Sequence, residues 1–412
     1  MRKQAVILLL LLMPLTSMAW HRILKDNIKS LEVLLNDDFM ALPVMQLHSN
    51  DRLYVSFDEL SHNYHRFVYH IEPCNPDWTP TEGLFDSDWL EGFNDVPIDD
   101  YGNSLNTNVL YTHYQLQLPN DQTRLKMSGN YHIHILDDNE GGEEVACVEL
   151  RIVEPLMNVG IGITTNTDVD FQAQHQQVSM TVNFNSVKVT NLDEQLQVFV
   201  LQNGREDNMK ENPRPSYIRP QSLQWEHCRQ LIFEAGNEYR KFEILDPTRI
   251  AMGLDHVGWD EQQRRFHAYP YAWQPVRSYV YDEDANGAFL LRNSDNYESA
   301  TTSEYVLVHY KQQARYYPDA RVIISGRWTT EDASNYAMEY DDTDGTYNAI
   351  LLQKLGYYNY QLLLQDMDGT THTLPEAGSF FQTENSYQGL VYYKGTGERA
   401  WRLVGYQEVV FR

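Results

Sequence analysis

The chain has 412 residues, 42% of them hydrophobic, which is enough for two to four domains with buried cores and too apolar for a disordered segment. Its formal net charge of -26 argues against gripping nucleic-acid phosphates and against docking on anionic lipid. Twenty-eight tyrosines, with no long amphipathic helical pattern, point to β structure.

In chain order, Met1 to Ala19 reads as a targeting segment. Arg2 and Lys3 form its positive start, Ala5 to Leu15 is apolar, and Ser17-Met18-Ala19 has the small-x-small form of a cleavage site. The apolar run is too short to span a bilayer, and no later run is longer, so direct membrane insertion is not expected. Trp20 to Ser30 reads as a polar arm. Strands follow at Ser30 to Leu35, Pro43 to Leu47 and Arg52 to Phe57, where Leu53, Val55 and Phe57 alternate with Arg52, Tyr54 and Ser56. Short strands separated by turns suggest an antiparallel sandwich of immunoglobulin type.

Phe67-Val68-Tyr69-His70-Ile71 feeds into Cys74-Asn75-Pro76-Asp77-Trp78-Thr79-Pro80, whose prolines break the ladder. A long acidic and aromatic stretch then runs to the strand Tyr111 to Leu118. A loop of this length is usually functional or held down by its own apolar residues. We read it as an ordered flap anchored by Trp78, Trp89 and Phe93; the alternative is that these rings only fill a sandwich core. Leu125 to Leu136 and Glu143 to Val153 form a closing hairpin around Asp137 to Gly142. The first domain is expected to end at Glu154-Pro155.

Strands are expected in the next segment at Asn158 to Thr164, Val178 to Phe184 and Gln195 to Leu201, with a turn at Asn203-Gly204. Phe242 to Leu245 and Tyr279 to Tyr281 read as short strands. Asp246 to Trp273 carries too many aromatics for a solvated linker, and Tyr271 and Trp273 are candidate anchors. A boundary is expected within the polar stretch 296–302. Beyond it come Val322 to Gly326 with Trp328, Tyr347 to Leu352, Gly356 to Leu362, and Gly389 to Tyr393. The expected architecture is therefore all-β, with three consecutive immunoglobulin-like or early-set β-sandwich domains at 20–155, 156–300 and 301–412, after a signal peptide at 1–19.

No catalytic constellation stands out. There is no Gly-x-Ser-x-Gly elbow. His62, His65 and His70 cluster loosely, and His132 and His134 share one strand face, but neither set has a third ligand at a familiar spacing. Asp341 to Gly345 and Asp366 to Gly369 look like fragments of calcium loops, yet each adjoins strands and reads as a hairpin turn. Gly160-x-Gly162 lacks the third glycine and the helix of a dinucleotide site. Cys74, Cys147 and Cys228 allow at most one internal disulfide, and none is expected to be essential. We expect no metal, no cofactor and no enzymatic activity.

One ordered set of segments carries a family resemblance. Cys74 to Pro80, Leu90-Glu91-Gly92-Phe93, Tyr111 to Tyr114 with Leu118-Pro119-Asn120, and Ser128 to Tyr131 resemble the type IX secretion system plug protein family. The resemblance continues at Val153-Glu154-Pro155, Val200 to Asn208, Gly236 to Phe242, Gly356 to Tyr360 and Phe381 to Asn385. It implies a periplasmic, non-enzymatic protein that closes the periplasmic opening of the large outer-membrane translocon β-barrel. On that reading Trp78, Trp89, Phe93, Tyr271 and Trp273 are candidate partner contacts. Val322 to Trp328 with Gly356 to Tyr360 also resembles the early-set sandwich of glycogen-binding modules. This gives an alternative role in carbohydrate binding, with Trp328 and Tyr358 stacking on sugar. An exported hydrolase is a third reading.

Overall fold

The computed structural model describes residues 21–295 and 298–412. The expected signal peptide lies outside the described residues, as do Asn296 and Tyr297 at the second expected boundary. The regular structure of the described chain is almost all strand, with only single-turn helices, as the all-β reading expects.

The first sandwich pairs a four-stranded sheet with part of a larger one. The smaller sheet runs Ile28–Leu35, Leu53–Glu59, Thr112–Leu118 and Asp100–Asn103. The facing strands are Phe67–Cys74, Gly129–Asp137 and Glu143–Val153. Period-two alternation decides which side chains meet between them. Leu53, Val55 and Phe57 point inward against Tyr131, Ile133 and Ile135, and all six are buried in one cluster. The same alternation sends Asn130, His132 and His134 to the opposite face.

The larger sheet does not stop at the first sandwich. Glu143–Val153 meets Arg402–Phe411 in parallel at Val153 and Leu403, and the ladder continues through Asn385–Tyr393 and Leu196–Gln202 to Arg205–Glu211. Pro155 has no N–H to extend the pairing, so the chain leaves the sheet there and starts Asn158–Thr164. That strand pairs with His175–Asn183, and the resulting sheet packs Val178, Met180 and Val182 onto Val198, Val200, Tyr387, Val391 and Val404.

This grouping departs from three consecutive domains at 20–155, 156–300 and 301–412. The middle core is completed by residues from 385–411, whereas Phe242, Ile244, Leu254, Ala268 and Phe289 pack with Val306, Tyr310, Val322, Tyr358 and Leu362 into a third core. The third sandwich is thus inserted between two parts of the second. The reason is that strand pairing across nearly 200 residues leaves no local pattern, while neighbouring strands usually pair. Asp246 to Trp273, hard to read as sequence, contains the hairpin Leu254–Asp260 and Arg265–Pro270. Tyr279 to Tyr281 lies in an irregular connection rather than a strand. The Asp341 to Gly345 and Asp366 to Gly369 segments are hairpin turns.

The first and third sandwiches are joined through a buried ionic cluster. Lys354 Nζ donates to Asp58 Oδ2 at 2.6 Å and to the Ala300 carbonyl at 2.7 Å. Tyr305 Oη donates to the same Asp58 oxygen at 2.7 Å, and His113 Nδ1 lies 2.7 Å from Asp58 Oδ1. Nearby, buried Glu32 accepts from the Leu291 N–H at 3.0 Å, another link between the two sandwiches. Burial pushes the Glu32 carboxyl up to about 7, against the opposing pull of the Leu291 N–H and the Lys354 charge.

A raised folded value means that the folded chain holds this proton more tightly than the unfolded chain. Stability should therefore fall as pH climbs from about 4.5 to above 7, by about 3 kcal/mol from this group. Glu32→Gln keeps the acceptor and removes the charge. Urea denaturation of the variant should match the native chain at pH 4.5 and exceed it at pH 8. Equal differences at both values would exclude a buried ionising carboxyl.

Candidate functional site at the aromatic flap

The Cys74 to Pro80 segment is a tight turn that fastens to itself. Asn75 N–H donates to the Thr79 carbonyl at 2.8 Å, Trp78 N–H donates to the Asn75 carbonyl at 2.9 Å, and Thr79 Oγ1 donates to Asp77 Oδ1 at 2.6 Å. Trp78 takes a φ of 63°, in the left-handed region that a bulky residue adopts only when its surroundings hold it there. What holds it is the indole's position across the outer face of the larger sheet. The ring stacks on His132 at 5.3 Å and 8°, the Arg151 guanidinium lies 4.7 Å from its centre, and Nε1 donates to Glu206 at 3.0 Å. Arg151 also pairs with Glu206. Trp78 therefore clamps the first sandwich to a strand of the middle one.

Trp89 anchors the flap differently. It closes a single helical turn, Asp86–Trp89, in which Phe85 N–H donates to Asp88 Oδ2 at 2.9 Å. Its ring is 2% exposed and packs on Tyr131. Leu90–Gly92 then pairs with Thr123–Leu125. Gly92 has a φ of 104°, and a Cβ there would collide with the Gln122 carbonyl, so only glycine suits this crossing. Phe93 is pinned through its backbone, with its N–H on the Gln122 carbonyl at 2.8 Å and its carbonyl accepting from Thr123 Oγ1 at 2.9 Å.

The rings of Phe93 and Phe85 project into solvent, 70% and 72% exposed. Asp86, Glu91 and Asp95, close to them in the chain, are exposed as well. Arg399 braces the Phe85 end by donating to the Gly83 carbonyl and to Asp88, both at 2.7 Å. The flap is thus a firm base that displays two phenylalanines along an acidic stretch of chain.

The expected contact residues therefore fall into three kinds. Phe93 is exposed, whereas Trp89 is a core anchor and offers no surface to a partner. Trp78 is half-buried and serves as a clamp. Tyr271 is exposed on the third sandwich, while Trp273 is half-buried beneath the Arg240 guanidinium, 4.5 Å from its ring. Phe85 was not singled out by sequence; it sits among the same residue types as Trp89, and only the packing separates them. The sugar-stacking pair fails on burial. Trp328 is 8% exposed with Nε1 donating to the Asn359 carbonyl, and Tyr358 is 3% exposed with its hydroxyl donating to the Lys354 carbonyl. Neither presents a face to a ligand.

Beneath Trp78 the outer face carries cross-strand rows. His70, His134 and Cys147 lie in one, and Glu72, His132 and Glu149 in the next. His134 Nδ1 lies 2.6 Å from Glu144 Oε1, and its Nε2 lies 3.5 Å from Glu72 Oε2. Burial lowers the His132 imidazole to about 4, with His134 and Arg22 adding to the effect, so it is neutral at pH 7. Cys74, Cys147 and Cys228 are buried free thiols.

Residues 28–154 match the family model of the type 9 secretion system plug protein 1st domain. No curated protein matches the chain. Among solved structures, the chain is similar to the crystal structure of a hypothetical protein from Parabacteroides merdae ATCC 43184 at 2.30 Å resolution. The two share 30% identity with a TM-score of 0.90, over 96% of this chain and 100% of that one.

Proposed function

We propose, for a chain that belongs to the type IX secretion system plug protein family, a non-enzymatic role: it binds the outer-membrane translocon β-barrel and closes its periplasmic opening. Family membership gives the chain a role associated with type IX secretion and implies a periplasmic or outer-membrane-associated location. No helix among the described residues is long and apolar enough to cross a membrane. The finer role is supported by one observation above all. The segment that matches the family's first domain is the one whose flap holds Phe85 and Phe93 out in solvent on an anchored base. Exposed aromatics on a preorganised support are the anchors that protein interfaces favour, because little ordering entropy is lost when they are buried.

Tagged native protein is expected to recover a very large β-barrel, in near-equal amount, from gently solubilised outer membranes. Phe85→Ala/Phe93→Ala should keep its melting temperature and recover at least about tenfold less barrel, the scale of one to two interface hot spots. Native protein that recovers no barrel, with the barrel present in the extract, would overturn the plug reading. Equal recovery by the folded double variant would move the contact elsewhere on the surface.

A further inference from the structure

His132 and His134 lack a third ligand in sequence, but the fold supplies one from the neighbouring strand. One ring nitrogen of each histidine and the Cys147 sulfur lie within 4.8 Å of one another. Glu72, Cys74 and His132 form a second such group that shares His132. Donors around a tetrahedral zinc ion stand about 3.3–3.8 Å apart, given metal–ligand bonds of about 2.0–2.3 Å. Small side-chain rotations close that difference, because all of these residues already share one face of a rigid three-stranded ladder.

We propose that this face, beneath Trp78, is a site for a zinc-type cation, with Cys147, His132 and His134 as ligands and a Glu72 oxygen completing the tetrahedron.

Three features of the surroundings favour it. His132 is 7% exposed, and its Nε2 has no hydrogen-bond partner, although a buried imidazole nitrogen ordinarily finds one. The indole of Trp78 lies flat on that ring and fixes its orientation. Glu144 holds His134 through Nδ1, which leaves Nε2 as the coordinating atom; a carboxylate behind a histidine is the usual outer partner of a zinc ligand. The mixed sulfur, nitrogen and oxygen donors suit zinc and not calcium or magnesium. Glu72, Glu144 and His134 are partly exposed, which gives the ion a way in. Coordination takes the thiolate and neutral imidazoles, so any proton on a ligating atom passes to water as the ion binds.

The test uses the full chain, stripped with a chelator and desalted. Zinc is expected to bind at one ion per chain, and cobalt in its place should give a near-ultraviolet thiolate-to-metal charge-transfer band. Cys147→Ser should abolish the band and weaken zinc binding by at least about 100-fold. Glu144→Gln, at a partly exposed position outside the core, should weaken it by about 10- to 100-fold while the chain stays folded. Absence of the band from native protein would overturn the proposal. So would zinc binding unchanged in folded Glu144→Gln and Cys147→Ser, which would mark adventitious surface binding.

Discussion

Lys354→Met is expected to destabilise the chain by about 3–5 kcal/mol, measured by urea denaturation at pH 7. Lys354 and Asp58 have side chains only 1% and 0% exposed, so neither charge has water to fall back on. Removing the ammonium leaves the Asp58 carboxylate with only Tyr305 and His113 to stabilise it. The cost is that of an uncompensated buried charge, and it exceeds what the intact pair contributes. Asp58→Asn/Lys354→Met, which removes both charges, should therefore recover at least half of the loss. A loss below about 1 kcal/mol for the single variant would mean that the cluster is wet or loosely formed.

The same pair has a pH signature. Burial alone would raise the Asp58 carboxyl, but the Lys354 ammonium and His113 outweigh it and hold the carboxyl below its ordinary value of 3.8. A depressed folded value contributes stability that is complete above the unfolded value and is lost as pH falls through the folded one. Acid should thus loosen the junction between the first and third sandwiches. Glu32, on the same side of the junction, has the opposite slope.

Trp89→Ala should cost a similar amount, about 3–5 kcal/mol, through the cavity it leaves against Tyr131. Phe93→Ala, four residues on, should change stability by no more than about 0.5 kcal/mol, because its ring contributes little to any core. Limited proteolysis adds a local readout. Losing Trp89 should open the stretch 82–95 to cleavage, while losing Phe93 should leave it protected. If Trp89→Ala costs less than about 1 kcal/mol, the flap is not anchored where the packing places it.

Trp89 and Phe93 also mark what the sequence could convey. Alternation at Leu53, Val55 and Phe57 was enough to assign a strand and its inward face, and Asp-Gly pairs marked the hairpin turns. An aromatic in an acidic loop carries no such signal, since its burial depends on whether Tyr131, far along the chain, leaves room for it. Trp328 and Tyr358 misled for the same reason: a tryptophan after a strand-ending glycine reads the same whether the next sheet covers it or not. Cys147 could not be joined to His132 and His134 without the antiparallel register that sets Cys147 opposite His134. The family resemblance did reach the segment 28–154, because ordered short motifs survive where pairing partners cannot be read.

The closure of the middle sandwich by Asn385–Tyr393 and Arg402–Phe411 fixes a timetable for the chain. A polypeptide made or threaded from its N-terminus presents Leu196–Gln202 long before the strand that must lie beside it exists. In that interval the host core stands open with an unpaired edge, the kind of surface on which β-proteins aggregate. The inserted sandwich, from Phe242 to Leu374, has all its strands sooner and can fold first. Vectorial emergence therefore completes the guest before its host, and the longest sheet is joined last.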